Sequence, residues 1–80
     1  MIRIFSTENC PKCKMLKERI RLLCESYEEW NMATPDAMTE LYTNGVFTIS
    51  APILQVDDKF YTTNDLFDGN NLKDLKKILG

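Results

Sequence analysis

Cys10 and Cys13, separated by Pro11 and Lys12, form the pair whose types and spacing promise chemistry in this 80-residue chain. A C-x-x-C pair either exchanges a disulfide or helps to hold a metal. The chain contains no histidine, which removes Ser-His-Asp and Cys-His catalysis and the Cys₂His₂ zinc finger. A closed zinc site wants four ligands, and the third cysteine, Cys24, falls about three turns further along the helix expected here. Cys24 is read as a small core residue, and no metal ligands are assigned.

Thiol chemistry needs a thiolate, so the placement of the pair matters. Residues 2–6, Ile-Arg-Ile-Phe-Ser, are β-branched and aromatic and read as a strand, ended by polar Thr7-Glu8-Asn9. Over residues 11–25 the apolar positions Cys13, Leu16, Ile20, Leu23 and Cys24 recur at helical spacing, with Pro11 suited to the first helical position. Cys10 therefore sits where backbone N–H groups lack partners and the helix dipole is positive. A free cysteine has a pKa of about 8.5, and such settings lower it by one to several units. Cys13, one turn in on the apolar face, should be buried. One exposed nucleophile and one withheld thiol are what a dithiol exchanger requires.

Charge is distributed to the same effect. Residues 1–25 carry six basic and three acidic side chains, whereas residues 26–80 carry four basic and nine acidic ones. The net charge of −2 hides a basic half around the cysteines, where Lys12 and Lys14 flank Cys13. An overall acidic balance argues against nucleic-acid binding. At 44% hydrophobic and 28% charged residues, one soluble domain over 1–80 is expected, as a monomer. No apolar run reaches membrane-spanning length, and the first five residues lack an export signal's apolar run. With an odd cysteine count, a cytoplasmic location follows.

The rest of the chain supplies the elements that must position the pair. A second strand is expected over residues 27–32. Thr34-Pro35-Asp36 is a helix-start signature for a helix that turns Ala37, Met38 and Leu41 inward and stops near Asn44-Gly45. Residues 53–56 and 59–62 form a hairpin across Asp57-Asp58. Asn70 or Asn71 caps a last helix burying Leu72, Leu75, Ile78 and Leu79. The order β-α-β-α-β-β-α gives an α/β fold, a four-stranded mixed sheet covered by three main helices. Ser50-Ala51-Pro52 places a proline at a strand start, where a cis bond would present the Ala51 backbone to an extended substrate.

Together these features resemble the thioredoxin superfamily, and most closely the glutaredoxins and glutaredoxin-like redoxins, over nearly the whole chain. The resemblance rests on the first strand, Cys10-Pro11-Lys12-Cys13, Ala51-Pro52 opening a later strand, and the hairpin and helix that follow. It implies a thioredoxin-like fold, with Pro52 as a cis-proline facing the cysteines, Cys10 as nucleophile and Cys13 as resolving thiol. It implies a small thiol-disulfide oxidoreductase with no bound cofactor, recharged by glutathione or a reductase. Ribonucleotide reductase or another disulfide-forming enzyme is the client by analogy. The alternative is an iron–sulfur-cluster or metal carrier, as some single-cysteine glutaredoxins are.

Substrate contacts carried over by the resemblance fall on Pro11, Lys12, Ala51, Pro52, Thr63 and Asp65. Glutathione-using members usually have an aromatic residue where Lys12 stands and a basic one where Thr7 stands. They also show a Gly-Gly turn and an acid for the glutathione amino group where this chain reads Thr62-Thr63-Asn64-Asp65-Leu66. Asp65 replaces that acid if the turn is one residue shorter. Lys12 offers a cation to a substrate carboxylate.

Overall fold

The computed structural model describes residues 1–23, 26–48 and 50–79, so the expectations for Cys24 and Glu25 lie outside the described residues. Strand β1 (Ile2–Ser6) divides its side chains between two cores, Ile2 and Ile4 to one and Phe5 to the other. It is followed by α1 (Pro11–Leu22), β2 (Glu28–Asn31), α2 (Pro35–Thr43), β3 (Ile53–Val56) and β4 (Lys59–Tyr61), in the expected order. The sheet runs β2-β1-β3-β4. β2 lies parallel to β1, as a crossover through α1 requires, and the other two pairings are antiparallel.

This register builds the site's frame. Phe5 pairs with Ile53 and Ile4 with Leu54, so the end of β1 lies beside the beginning of β3. The loop that leads into Cys10 and the Ala51-Pro52 step therefore lie at the same end of the sheet, on its two central strands. On one face, Leu16 and Ile20 of α1 pack with Ile2, Ile4, Leu54, Leu66, Phe67 and Leu75. On the other, Ala37 and Leu41 of α2 pack with Phe5, Met32, Val46 and Ile53, while Met38 is only half-buried. The Phe5 ring meets Trp30 at 5.6 Å and Phe60 at 6.2 Å between centroids. α2 starts and stops on expected signals. The Thr34 hydroxyl accepts from the Ala37 N–H at 3.3 Å, and Gly45 follows the C-cap at φ 78°.

The C-terminal quarter departs from expectation. No helix begins at Asn70 or Asn71. A one-turn helix α3 (Thr63–Leu66) comes first, then a small hairpin of β5 (Phe67–Asp68) and β6 (Asn71–Leu72), then α4 (Lys76–Leu79). The cause is Gly69, whose φ of 63° reverses the chain in a two-residue loop and pairs Phe67 with Leu72. Asp74 then starts α4, its Oδ1 accepting from the Lys76 N–H at 3.0 Å. Leu75 is fully buried as expected, but Ile78 and Leu79 are only half-buried, and Leu72 reaches the core from a strand. No described helix is long and apolar enough to cross a membrane.

Candidate functional site

Asn9 takes the left-handed conformation, φ 54°, which asparagine tolerates better than most residues. It turns the chain out of β1 so that Cys10, in extended conformation, becomes the N-cap of α1. Pro11 occupies the first helical position, where its missing N–H costs nothing. The Cys13 N–H donates to Cys10 Sγ at 3.1 Å, so a sulfur does the capping usually done by a hydroxyl or carboxylate oxygen. Cys10 and Cys13 are joined in a disulfide, their Cα atoms 5.2 Å apart. Cys10 is half-buried, while Cys13 is 1% exposed. The asymmetry expected of the pair is present.

The Ala51–Pro52 bond is cis, with Pro52 buried and Ala51 half-buried, lining a cavity with Cys10. The Thr63 hydroxyl donates to the Pro52 carbonyl at 2.9 Å, tying α3 to the start of β3. Asp65 is engaged locally. Its carboxylate accepts from the Thr62 N–H at 3.0 Å and the Thr62 hydroxyl at 3.2 Å. That is one half of a capping box, and it holds the first turn of α3. Neither Thr63 nor Asp65 lines the cavities at Cys10.

Two cavities meet at Cys10. The smaller, about 410 Å³, is lined by Cys10, Pro11, Lys12, Ala51 and Asn70, with Thr7 and Asn9 at the shared border. The Lys12 ammonium lies 5.4 Å from the Phe67 ring centroid, a cation–π contact that holds it on this side. The larger cavity, about 810 Å³, opens on the other side, between the start of α1 and the ends of β1 and β2. Ser6, Lys14, Lys17, Glu29 and Asn31 are among the residues that line it. Lys17 Nζ meets Glu29 Oε2 at 2.8 Å, and the Ser6 hydroxyl donates to the same oxygen at 3.1 Å. The Lys17 hydrogen bond holds the Glu29 carboxyl below the usual glutamate range against the desolvation that opposes it, and the Ser6 bond and the Lys17 charge lower it further.

The two lysines that flank Cys13 are thus parted, Lys12 to one cavity and Lys14 to the other. Asn70 escaped sequence reasoning because the hairpin that carries it was read as a helix cap. Glu29 and Asn31 left a trace: alternation along β2 puts both on the face that α1 covers, where apolar residues would be usual. Among the described residues, no group of three or more His, Cys, Asp or Glu side chains is gathered to hold a metal.

No family model matches the sequence, and the search of curated proteins finds no match. Solved structures do match. The chain superposes on the thioredoxin-like protein BC3987 with a TM-score of 0.65, at 23% identity, covering 78% of this chain and 85% of that one. A mutant of the same protein gives a TM-score of 0.68 at 23% identity, over 78% of this chain and 84% of that one. The fold of this chain is thioredoxin-like, and its close cysteine pair is consistent with a thiol-disulfide redox role.

Proposed function

We propose that the chain is a small dithiol–disulfide oxidoreductase of glutaredoxin-like type, acting in a reducing cytoplasm. The observation that carries the proposal is Cys10 at the N-cap of α1, bonded to a buried Cys13 and flanked by open cavities. In the reduced protein, unpaired N–H groups and the positive end of the helix favour a thiolate at Cys10. That thiolate attacks one sulfur of a substrate disulfide. The substrate S–S bond breaks, and the first thiolate leaves and takes a proton. Cys13 then gives up its proton and attacks Cys10 Sγ, expelling the second thiolate. Two electrons pass to the substrate, and the protein is left with the Cys10–Cys13 disulfide.

Glutathione or a reductase returns the electrons, and disulfides of enzymes such as ribonucleotide reductase are the clients proposed by analogy. Pro11, Lys12, Ala51 and Asn70 form the wall along which a client would lie, with Pro52 and Thr63 supporting it from behind. The test uses pre-reduced protein and hydroxyethyl disulfide. Cys10→Ser should be inert, whereas Cys13→Ser should accumulate one mixed disulfide per chain, read by mass. Equal inactivity of both variants, with no trapped adduct, would overturn the division of roles.

A further inference from the structure

Cys10 stands on the ridge between two cavities whose charges differ. The one on the Ala51 side presents a single cation, Lys12, and no carboxylate. The larger one carries both signs, Lys14 and Lys17 with Glu8 and Glu29. Part of this charge is already spent internally. Lys17 and Ser6 both engage Glu29 Oε2, and Asn31 Oδ1 accepts from the Ala33 N–H at 2.9 Å. Lining it without a hydrogen-bond or ion-pair partner among the described residues are the Lys14 ammonium, the Glu8 carboxylate, the second oxygen of Glu29 and the Asn31 amide NH₂. A purely anionic ligand would meet Glu8 and Glu29, and a purely cationic one would meet the lysines. A small molecule bearing one carboxylate and one ammonium satisfies both sets, and 810 Å³ is ample for it.

We propose that this larger cavity is a substrate subsite that selects disulfides with zwitterionic amino-acid ends, the carboxylate on Lys14 and Asn31 and the ammonium on the free Glu29 oxygen. It rests on the oxidoreductase reading for its chemistry. The reacting sulfur lies at Cys10, the thiolate attacks it, and the substrate leaves as two thiols while Cys10 and Cys13 close their disulfide. The protein dithiol supplies both electrons. An internal peptide cysteine lacks both charges beside its sulfur, so this side of Cys10 favours free amino-acid disulfides over protein clients.

Pre-reduced protein is mixed separately with L-cystine, cystamine, dithiodiglycolate and hydroxyethyl disulfide, quenched in acid and scored by mass for the Cys10–Cys13 disulfide. Each rate is divided by that of the same disulfide with a free dithiol, which removes intrinsic reactivity. L-Cystine should exceed each of the other three by roughly fivefold, the size of one charge-assisted contact at a half-exposed site. Lys14→Glu, at an exposed helix position, should shift the cystine-to-cystamine ratio toward cystamine by about tenfold, because the new side chain repels a carboxylate and attracts an ammonium. Lys14→Ala should shift it less, in the same direction. Equal corrected rates for all four, or an unchanged ratio in Lys14→Glu, would overturn the inference. If no disulfide oxidises the protein, the oxidoreductase reading fails, and the site is judged by binding alone. Cystathionine, a zwitterionic thioether that cannot be cleaved, should then move the backbone amides of Lys14 and Asn31 in the oxidised protein. Shifts confined to Ala51 and Asn70, or none at millimolar ligand, would defeat it.

Discussion

The N-termini of α1 and α2 are built alike and charged oppositely. Each begins with an extended N-cap residue followed by proline, Cys10-Pro11 in one and Thr34-Pro35 in the other. Each N-cap side chain accepts the N–H three residues on, Cys10 Sγ from Cys13 at 3.1 Å and Thr34 Oγ1 from Ala37 at 3.3 Å. After the proline the two diverge. α2 places Asp36 where the helix dipole is positive, whereas α1 has Lys12 and no acid in its first turn. Asp36 offsets the positive end and stabilises its helix. Lys12 adds to the positive end and leaves it open to an external anion or a thiolate. One geometry therefore carries two charge patterns: at α2 an acid offsets the positive end, and at α1 the positive end is left uncompensated beside the Cys10 sulfur.

Substitutions that exchange these features test the contrast. Thr34→Ala removes the oxygen cap of α2 and should lower the unfolding free energy by about 1 kcal/mol in urea titrations. Activity should scarcely change, and a large loss of disulfide exchange would show that α2 also serves the site. Lys12→Asp gives α1 the charge pattern of α2. It should slow thiolate attack at pH 7 roughly threefold to fivefold and raise the pH at which thiolate absorbance appears. The same variant should stabilise the reduced protein by about 0.3–1 kcal/mol. Added salt should shrink the difference from the unmodified protein, since the charges are near the surface. The smallest effect belongs to Asp36→Asn, which keeps the shape and removes the charge. It should cost a few tenths of a kcal/mol, about the lower end of a helix-dipole interaction.

Both helix starts were legible in the sequence, because Thr34-Pro35-Asp36 and Cys10-Pro11 are local signals read within three residues. β1 and the Asp57-Asp58 hairpin were legible for the same reason: alternation and turn chemistry are short-range, and Asp57 adopts φ 54° as such a turn allows. The C-terminal quarter was not. Leu72, Leu75, Ile78 and Leu79 fit a helical period, but Gly69 and the Phe67–Leu72 pairing deliver the first of them from a strand. A four-residue helix such as α3 has too few positions to show any period. At the site, Cys10 and Cys13 were legible from their type and spacing, and Ala51 from the strand-opening proline that follows it. Glu29 and Asn31 left only the trace of polar residues on a covered strand face, since it is the parallel pairing of β1 with β2 that brings them beside Cys10, and Lys17 looked like one more solvated helix cation until Glu29 met it.

The order of strands within the sheet has a consequence for how the chain acquires its shape. β1 is the first element along the chain, yet it lies inside the sheet, with β2 on one side and β3 on the other. Its antiparallel partners span Ile2 with Val56 through Phe5 with Ile53, so that pairing must close a loop of nearly the whole intervening sequence. During synthesis Ile2, Ile4 and Phe5 wait without one neighbour until β3 has left the ribosome. The Ala51-Pro52 step arrives in the same stretch. The sheet centre and the Ala51 wall of the site are therefore completed by the same stretch of chain, whereas the cysteine pair and the larger cavity, drawn from residues 6–31, precede it.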